Sequence, residues 1–296
     1  MVTRRKFLVH SALAATATAI PPMLHAQPTL SFRDLPAALE RLEKSSGGRL
    51  GVAVVDTGSG EQTGHRANER FAMCSTFKML LASAVLQRID QGGEHLDRAI
   101  DVPAKPLVNY SPLTEEHAGA TMTISDLCYA ILTRSDNTAA NLLLNTIGGP
   151  EGMTQFARSI GDTVTRLDRT ETSLNEALPG DPRDTTSPTA MAGNMQKLLL
   201  GDLLSAASRR QLTEWMISNR TGDEKLRAGI PTGWRVGDKT GSNGETTSND
   251  IAILWPPQRK PILITAYLTE YPGPEAKRNH VLADVGRAIV AALQTS

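Results

Sequence analysis

From Phe71 to Arg220 apolar residues recur at three- and four-residue intervals, whereas on either side of that stretch they alternate or run together in short blocks. The first pattern predicts helices at 75–90, 123–132, 137–147, 151–160, 187–200 and 205–219. Gly92-Gly93 stops the first of these, and Ser187-Pro188 opens the fifth. The second pattern predicts strands at Leu50–Asp56, Trp234–Gly241, Asn249–Trp255 and Pro261–Thr269, with a hairpin turn around Thr57-Gly58-Ser59-Gly60. A helix at 32–45 precedes them, and another from about Glu275 to Gln294 ends the chain. Strands that follow one another without crossover helices pair antiparallel. The expected class is therefore α+β: an antiparallel five-stranded sheet flanked by helices, with an all-helical domain inserted between its first and last strands. The sheet domain comprises 27–68 and 222–296. The helical domain comprises 69–221 and includes a long loop at 166–184. A cleft between two such domains is a common place for a ligand.

Composition narrows the class. The 296 residues carry 31 basic and 31 acidic side chains, but the balance is uneven along the chain. Residues 1–26 hold Arg4, Arg5 and Lys6 and no acid, so 28 basic residues face 31 acidic ones in the remainder, a net charge of −3. No basic field for nucleic acid is left. Thr3-Arg4-Arg5-Lys6-Phe7-Leu8, an apolar run to Ile20, and Leu24-His25-Ala26 read as a twin-arginine signal peptide over 1–26. The run is shorter than a spanning helix of ~20 apolar residues and is broken by His10 and Ser11. Export to the periplasm or medium is expected, with no membrane attachment after cleavage and a monomeric product starting near Gln27. Cys74 and Cys128 are too few for a disulfide framework, and no histidines stand at zinc-ligand spacing. No metal or organic cofactor is expected.

Chemistry concentrates on Cys74-Ser75-Thr76-Phe77-Lys78, where Lys78 follows Ser75 by one helical turn at the head of an apolar run. A serine hydroxyl is a weak nucleophile until a neighbour takes its proton, which a desolvated lysine of lowered pKa can do. The helix N-terminus adds N–H groups for a developing oxyanion. By itself Ser-x-x-Lys is more often a capping serine near a surface lysine. Ser135-Asp136-Asn137 falls in the break between two helices, where Ser135 can relay a proton and Asn137 can grip an amide; alone such a triplet is more often a helix cap. Lys239-Thr240-Gly241 lies inside a strand, where a lone glycine marks close backbone approach. Lys239 can orient an anion there, and the N–H of Ser242 can face that of Ser75.

These three motifs, in this order and these contexts, resemble the signature set of serine β-lactamases and penicillin-binding proteins, over essentially the whole mature chain. Arg166 to Glu176 further resembles the class A β-lactamase Ω-loop, with Glu171 and Asn175 placed to hold one water and Arg169 and Asp184 to close the loop as an ion pair. The resemblance implies hydrolysis of β-lactams through a Ser75 acyl-enzyme, with Glu171 activating the water that releases it. Whether Lys78 or Glu171 takes the Ser75 proton stays open. Tyr110 resembles the aromatic wall of the family's cleft, and Thr240, Gly241 and Ser242 its substrate-binding strand.

Two departures stand out. Many members carry an arginine for the substrate carboxylate where this chain has Ser248; Lys225 and Arg278 are the alternative cations, and a lysine lacks the bidentate fork. The cysteines match neither bridge known in the family, since their partner positions are Ala82 and Asn243. Two rival readings are a D-alanyl-D-alanine peptidase, which has no use for Glu171, and a covalent β-lactam sensor, which needs a membrane link.

Overall fold

The computed structural model describes residues 31–294. The signal-peptide reading of 1–26 therefore lies outside the described residues. After helix α1 (Leu35–Ser46), strand β1 (Arg49–Asp56) hairpins into β2 (Gln62–His65), and β3 (Phe71–Ala72) leads to a tight turn at Cys74–Thr76 that opens α2 (Phe77–Asp90). There follow β4 (Ala99–Asp101), β5 (Thr121–Thr123), α3 (Ile124–Thr133), α4 (Asn137–Thr146) and α5 (Gly149–Ser159). The loop from 166 ends in β6 (Thr185–Thr186), then α6 (Pro188–Met195) and α7 (Ala206–Ile217). The chain returns to the sheet with β7 (Arg235–Ser242), β8 (Ser248–Trp255) and β9 (Ile262–Thr269), and closes on α8 (Glu275–Leu293).

The large sheet has five strands in the order β2-β1-β9-β8-β7, every pair antiparallel. The three inner strands β1, β9 and β8 carry nearly continuous apolar runs because both their faces are covered, whereas the edge strands β2 and β7 are largely polar. Val52, Val54, Ile264, Ala266 and Leu254 pack towards α1 and α8, while Ala53, Val55, Leu263, Ile251 and Ile253 pack towards the helices that lie between β2 and β7. The strand period of two thus feeds two cores from one sheet. On the helical side α2 is enclosed all round, with Phe77 to Leu86 buried without a break.

Local chemistry sets the helix starts. Thr123 and Asp126 form a reciprocal capping box on α3, and the side chains of Asp136, Ser187 and Ser205 accept the N–H of residues three positions on in α4, α6 and α7. The helix expected over 187–200 is α-helical only to Met195 and widens into a π-turn over Gln196–Leu200. The stretch read as almost wholly helical also contains two ribbons, β3–β6 and β4–β5. The first pairs Phe71 with Thr186 and Ala72 with Thr185, and so ties the approach to Ser75 to the end of the long loop. Pairs of two or three residues are too short to produce an alternation in the sequence.

Candidate active site

Ser75 lies in the turn that opens α2, and the residue before it, Cys74, has φ 44°. Tyr110, Ser135 and Asp184 are also left-handed, with φ of 62°, 57° and 57°. Non-glycine residues in this region are strained, and four of them converge on one place. That place is a cleft of about 760 Å³. It is lined by Ser75, Tyr110, Ser135, Asn137, Asn175, Lys225, Thr240, Gly241 and Ser242 from the sequence reading, together with Asn109 and Thr221. Lys78, Glu171 and Lys239 lie buried behind this lining.

The buried groups form one connected set. Lys78 Nζ is 2.9 Å from Glu171 Oε1 and donates to Asn137 Oδ1 at 2.6 Å and to the Ser135 carbonyl at 2.8 Å. A longer bond, 3.5 Å, reaches Ser135 Oγ. The expected contact from this ammonium to the Ser75 hydroxyl is not made. Instead Ser75 Oγ donates to Glu171 Oε1 at 3.2 Å, so one carboxylate oxygen serves both nucleophile and lysine. The helical spacing does put Lys78 near Ser75, but the carboxylate between them is the stronger acceptor. Burial pushes the Lys78 pKa below its ordinary value, and the Glu171 charge opposes that shift.

Lys239 donates to Ser135 Oγ at 3.1 Å and to the Thr240 carbonyl at 2.8 Å. Burial and then the neighbouring Lys78 charge bring its pKa down to about 7. Ser135 Oγ thus accepts from two lysines, which leaves its own proton free to be donated into the cleft. Asp136 beside it is fully buried and accepts the backbone N–H of Leu113, Thr114 and Ala139, fixing the cleft wall to α4. Asn137 is less free than a substrate-gripping amide: its oxygen takes Lys78, and its Nδ2 donates to the Asn109 carbonyl at 2.8 Å.

The Ω-loop holds its glutamate from both ends. Asp184 Oδ2 meets Arg169 Nε at 2.6 Å, and Asp184 Oδ1 accepts the N–H of Asp168 and Arg169 at 2.7 and 2.9 Å. At the centre, Asn175 Nδ2 donates to Glu171 Oε2 at 2.6 Å, while Asn175 Oδ1 is a buried acceptor with no protein partner. Asn141, unnoticed in the sequence, accepts the Glu171 N–H and donates to its carbonyl, both at 2.9 Å. It stands one turn after Asn137 on α4, a spacing that marks a shared face but says nothing of a loop far along the chain.

The two candidate anchors for a carboxylate separate clearly. Lys225 reaches the cleft, and its Nζ donates to Ser248 Oγ at 2.6 Å; Ser248 Oγ in turn donates to Asn279 Oδ1 at 3.0 Å. Its pKa is lowered by burial, against the pull of Asp250. Arg278 is almost fully buried and donates to the carbonyls of Gly244, Glu245 and Gly273, so it secures the turn after β7. Both cysteines are buried free thiols, in keeping with a packing role.

Residues 34–293 match the Beta-lactamase enzyme family. The chain is 48% identical to β-lactamase L2 of Stenotrophomonas maltophilia, across 97% of this chain and 98% of that one. The chain belongs to the class A β-lactamase family. It is also 48% identical to β-lactamase CTX-M-8 of Citrobacter amalonaticus, covering 86% of this chain and 88% of the relative. Among solved structures, a reconstructed ancestral class A β-lactamase superposes with a TM-score of 0.86 at 60% identity, over 87% of this chain and 99% of its own. A β-lactamase from Xanthomonas campestris superposes with a TM-score of 0.87 at 51% identity, over 89% of this chain and 99% of its own. The class A fold, with its mixed helices and antiparallel five-stranded sheet, is thereby established for this chain.

Proposed function

We propose that this class A family member hydrolyses the amide bond of β-lactams through an ester on Ser75 that a Glu171-activated water releases. The observation that carries this reading is the Glu171 carboxylate. One oxygen accepts the Ser75 hydroxyl and the other accepts Asn175 Nδ2, beside the unpartnered Asn175 Oδ1. A water seated between that acceptor and the carboxylate faces the position of the ester carbon. General-base help of this kind contributes ~10²–10⁴ in rate. A peptidase or sensor has no need of such a seat.

In acylation the Ser75 proton passes to the Glu171–Lys78 pair. The direct bond from Ser75 Oγ to Glu171 Oε1 favours the carboxylate as first acceptor. The developing oxyanion lies between the N–H groups of Ser75 and Ser242, where Gly241 allows the strand to close on the turn. Ser135, with its proton free and two lysines on its oxygen, protonates the departing nitrogen. The alkoxide so formed is stabilised by both cations until a proton returns. Lys239 and Thr240 bind the substrate carboxylate, Lys225 supplies the further cation that Ser248 does not, and Asn137 and Tyr110 flank the side chain. In deacylation Glu171 takes a proton from the water that attacks the ester carbon, and the Glu171–Lys78 pair returns a proton to Ser75 Oγ as it leaves.

The same reading extends to organisation. The helical segment 69–221 supplies one wall of the cleft, and the described parts of the sheet domain, 31–68 and 222–294, supply the other. The leader at 1–26 directs twin-arginine export, so the enzyme works as a monomer in the periplasm or medium. Among the described residues no helix is long and apolar enough to cross a membrane. The test is hydrolysis of benzylpenicillin by the chain from Gln27 onward: opening of many equivalents is expected, and Ser75→Ala should reduce it to background. Retained hydrolysis in Ser75→Ala overturns the assignment of the nucleophile.

A further inference from the structure

The direction of the Ser75 N–H depends on the backbone just before it, and β8 reaches that backbone with a side chain. Asn249 is buried on β8 directly opposite Gly241 of β7. Directly opposed residues of an antiparallel pair project to the same face. At Gly241 the turn backbone takes the place of a side chain: a Cβ there would stand 2.7 Å from the Met73 carbonyl oxygen and 3.2 Å from Ser75 N. Against this closely packed backbone, Asn249 Nδ2 donates to the Ala72 carbonyl at 2.9 Å and to the Met73 carbonyl at 3.1 Å. Both amide protons are therefore used on consecutive carbonyls.

From the opposite side, Met73 N–H donates to the Asp184 carbonyl at 2.9 Å. The turn is held between the β8 amide and the end of the Ω-loop. Immediately after it, Cys74 adopts the left-handed backbone, a conformation that a side-chain-bearing residue keeps only when its surroundings impose it. The Met73 carbonyl does not need Asn249 for satisfaction, because Thr76 N and Oγ1 also donate to it, at 3.2 and 2.9 Å. Asn249 Oδ1, moreover, is buried without a protein partner. A residue kept only to satisfy this carbonyl would not leave its own acceptor orphaned.

We propose that Asn249 is a positioning residue of the oxyanion site: acting through the Met73–Cys74 backbone, it fixes the direction of the Ser75 N–H. The glycine of Lys-Thr-Gly supports this arrangement by letting the turn close on the sheet, since a Cβ there would run into the Met73 carbonyl that Asn249 binds. The inference rests on Ser75 being the acylated nucleophile.

The test uses the full mature chain carrying Glu171→Gln, in which the ester is expected to persist. Two quantities are read after mixing with benzylpenicillin: the acylation rate per acylatable site, and the infrared stretch of the ester carbonyl. Loss of an entire oxyanion donor costs ~10²–10³ in rate, so misdirection of one by Asn249→Ala should slow acylation by about 10–100-fold. The carbonyl band should move to higher wavenumber and broaden. A role in stability alone would lower the number of acylatable sites and leave both per-site quantities untouched. Asn249→Ser, which restores a hydroxyl but is too short to span both carbonyls, serves where the alanine variant does not fold, with the same shifts expected. Unchanged rate and band in the variant that folds overturn the proposal. Absence of any ester in Glu171→Gln alone, together with undiminished lactam opening by Ser75→Ala, removes the Ser75 reading, and the proposal with it.

Discussion

The two walls of the cleft handle buried positive charge in opposite ways. On the helical wall Lys78 is paired, 2.9 Å from a carboxylate that shares its burial, and Arg169 is closed onto Asp184. On the strand wall Lys239 and Lys225 are equally buried but make their side-chain bonds to neutral oxygens, those of Ser135, Thr240 and Ser248. A buried cation with no anion in contact is costly: Asp250 acts on both lysines, Asp238 on Lys239 and Glu275 on Lys225, but none bonds to either ammonium, and a substrate carboxylate would supply that contact. The paired wall is thus suited to moving protons and the unpaired wall to holding an anion; in the proposed reaction the bond that breaks would lie between them, beside Ser75 and Ser135.

Substitutions on the two walls should separate in kinetics. On the paired wall, Lys78→Met should lower kcat by ~10²–10⁴ in steady-state assays, with the smaller change in KM. On the unpaired wall, Lys239→Met should raise KM for carboxylate-bearing lactams by about 10–100-fold, the range for a lost hydrogen bond to a charged group, ~1.5–3 kcal/mol. Lys225→Met should act in the same direction by about tenfold, because its single ammonium replaces the fork of an arginine. A Lys239→Met variant that lost kcat and kept KM would erase the distinction.

The smallest effect is in pH. The Lys239 ammonium is present below its pKa of about 7 and lost above it. For the free enzyme, kcat/KM should fall as pH rises through that region, and Lys239→Arg, which keeps its charge, should move the alkaline limb upward. An alkaline limb that Lys239→Arg leaves in place would assign it to another group.

Each wall could be read in the sequence only in part. That Ser75, Lys78, Ser135, Glu171 and Lys239 come together was legible because the proposed chemistry asks for those residue types at fixed spacing beside clear helix and strand periods. The sheet and the helices around it were legible for the same reason. Asn141 and Asn249 were not, since a neutral amide that binds backbone leaves neither charge nor period. The left-handed conformations of Cys74, Tyr110, Ser135 and Asp184 also leave no trace, as none is a glycine. Lys225 and Arg278 looked alike as cations; only the fold shows that one faces the cleft and the other is tied to three carbonyls.

The central claim is that Glu171 turns a covalent trap into a turnover enzyme. Intact-mass time courses with excess benzylpenicillin, run beside loss of the lactam, test it directly on the mature chain and its Glu171→Gln variant. The account predicts an adduct that appears and clears in the parent while many equivalents are opened, and a stoichiometric adduct that persists in the variant. A persistent adduct in the parent, or undiminished turnover in the variant, would contradict it.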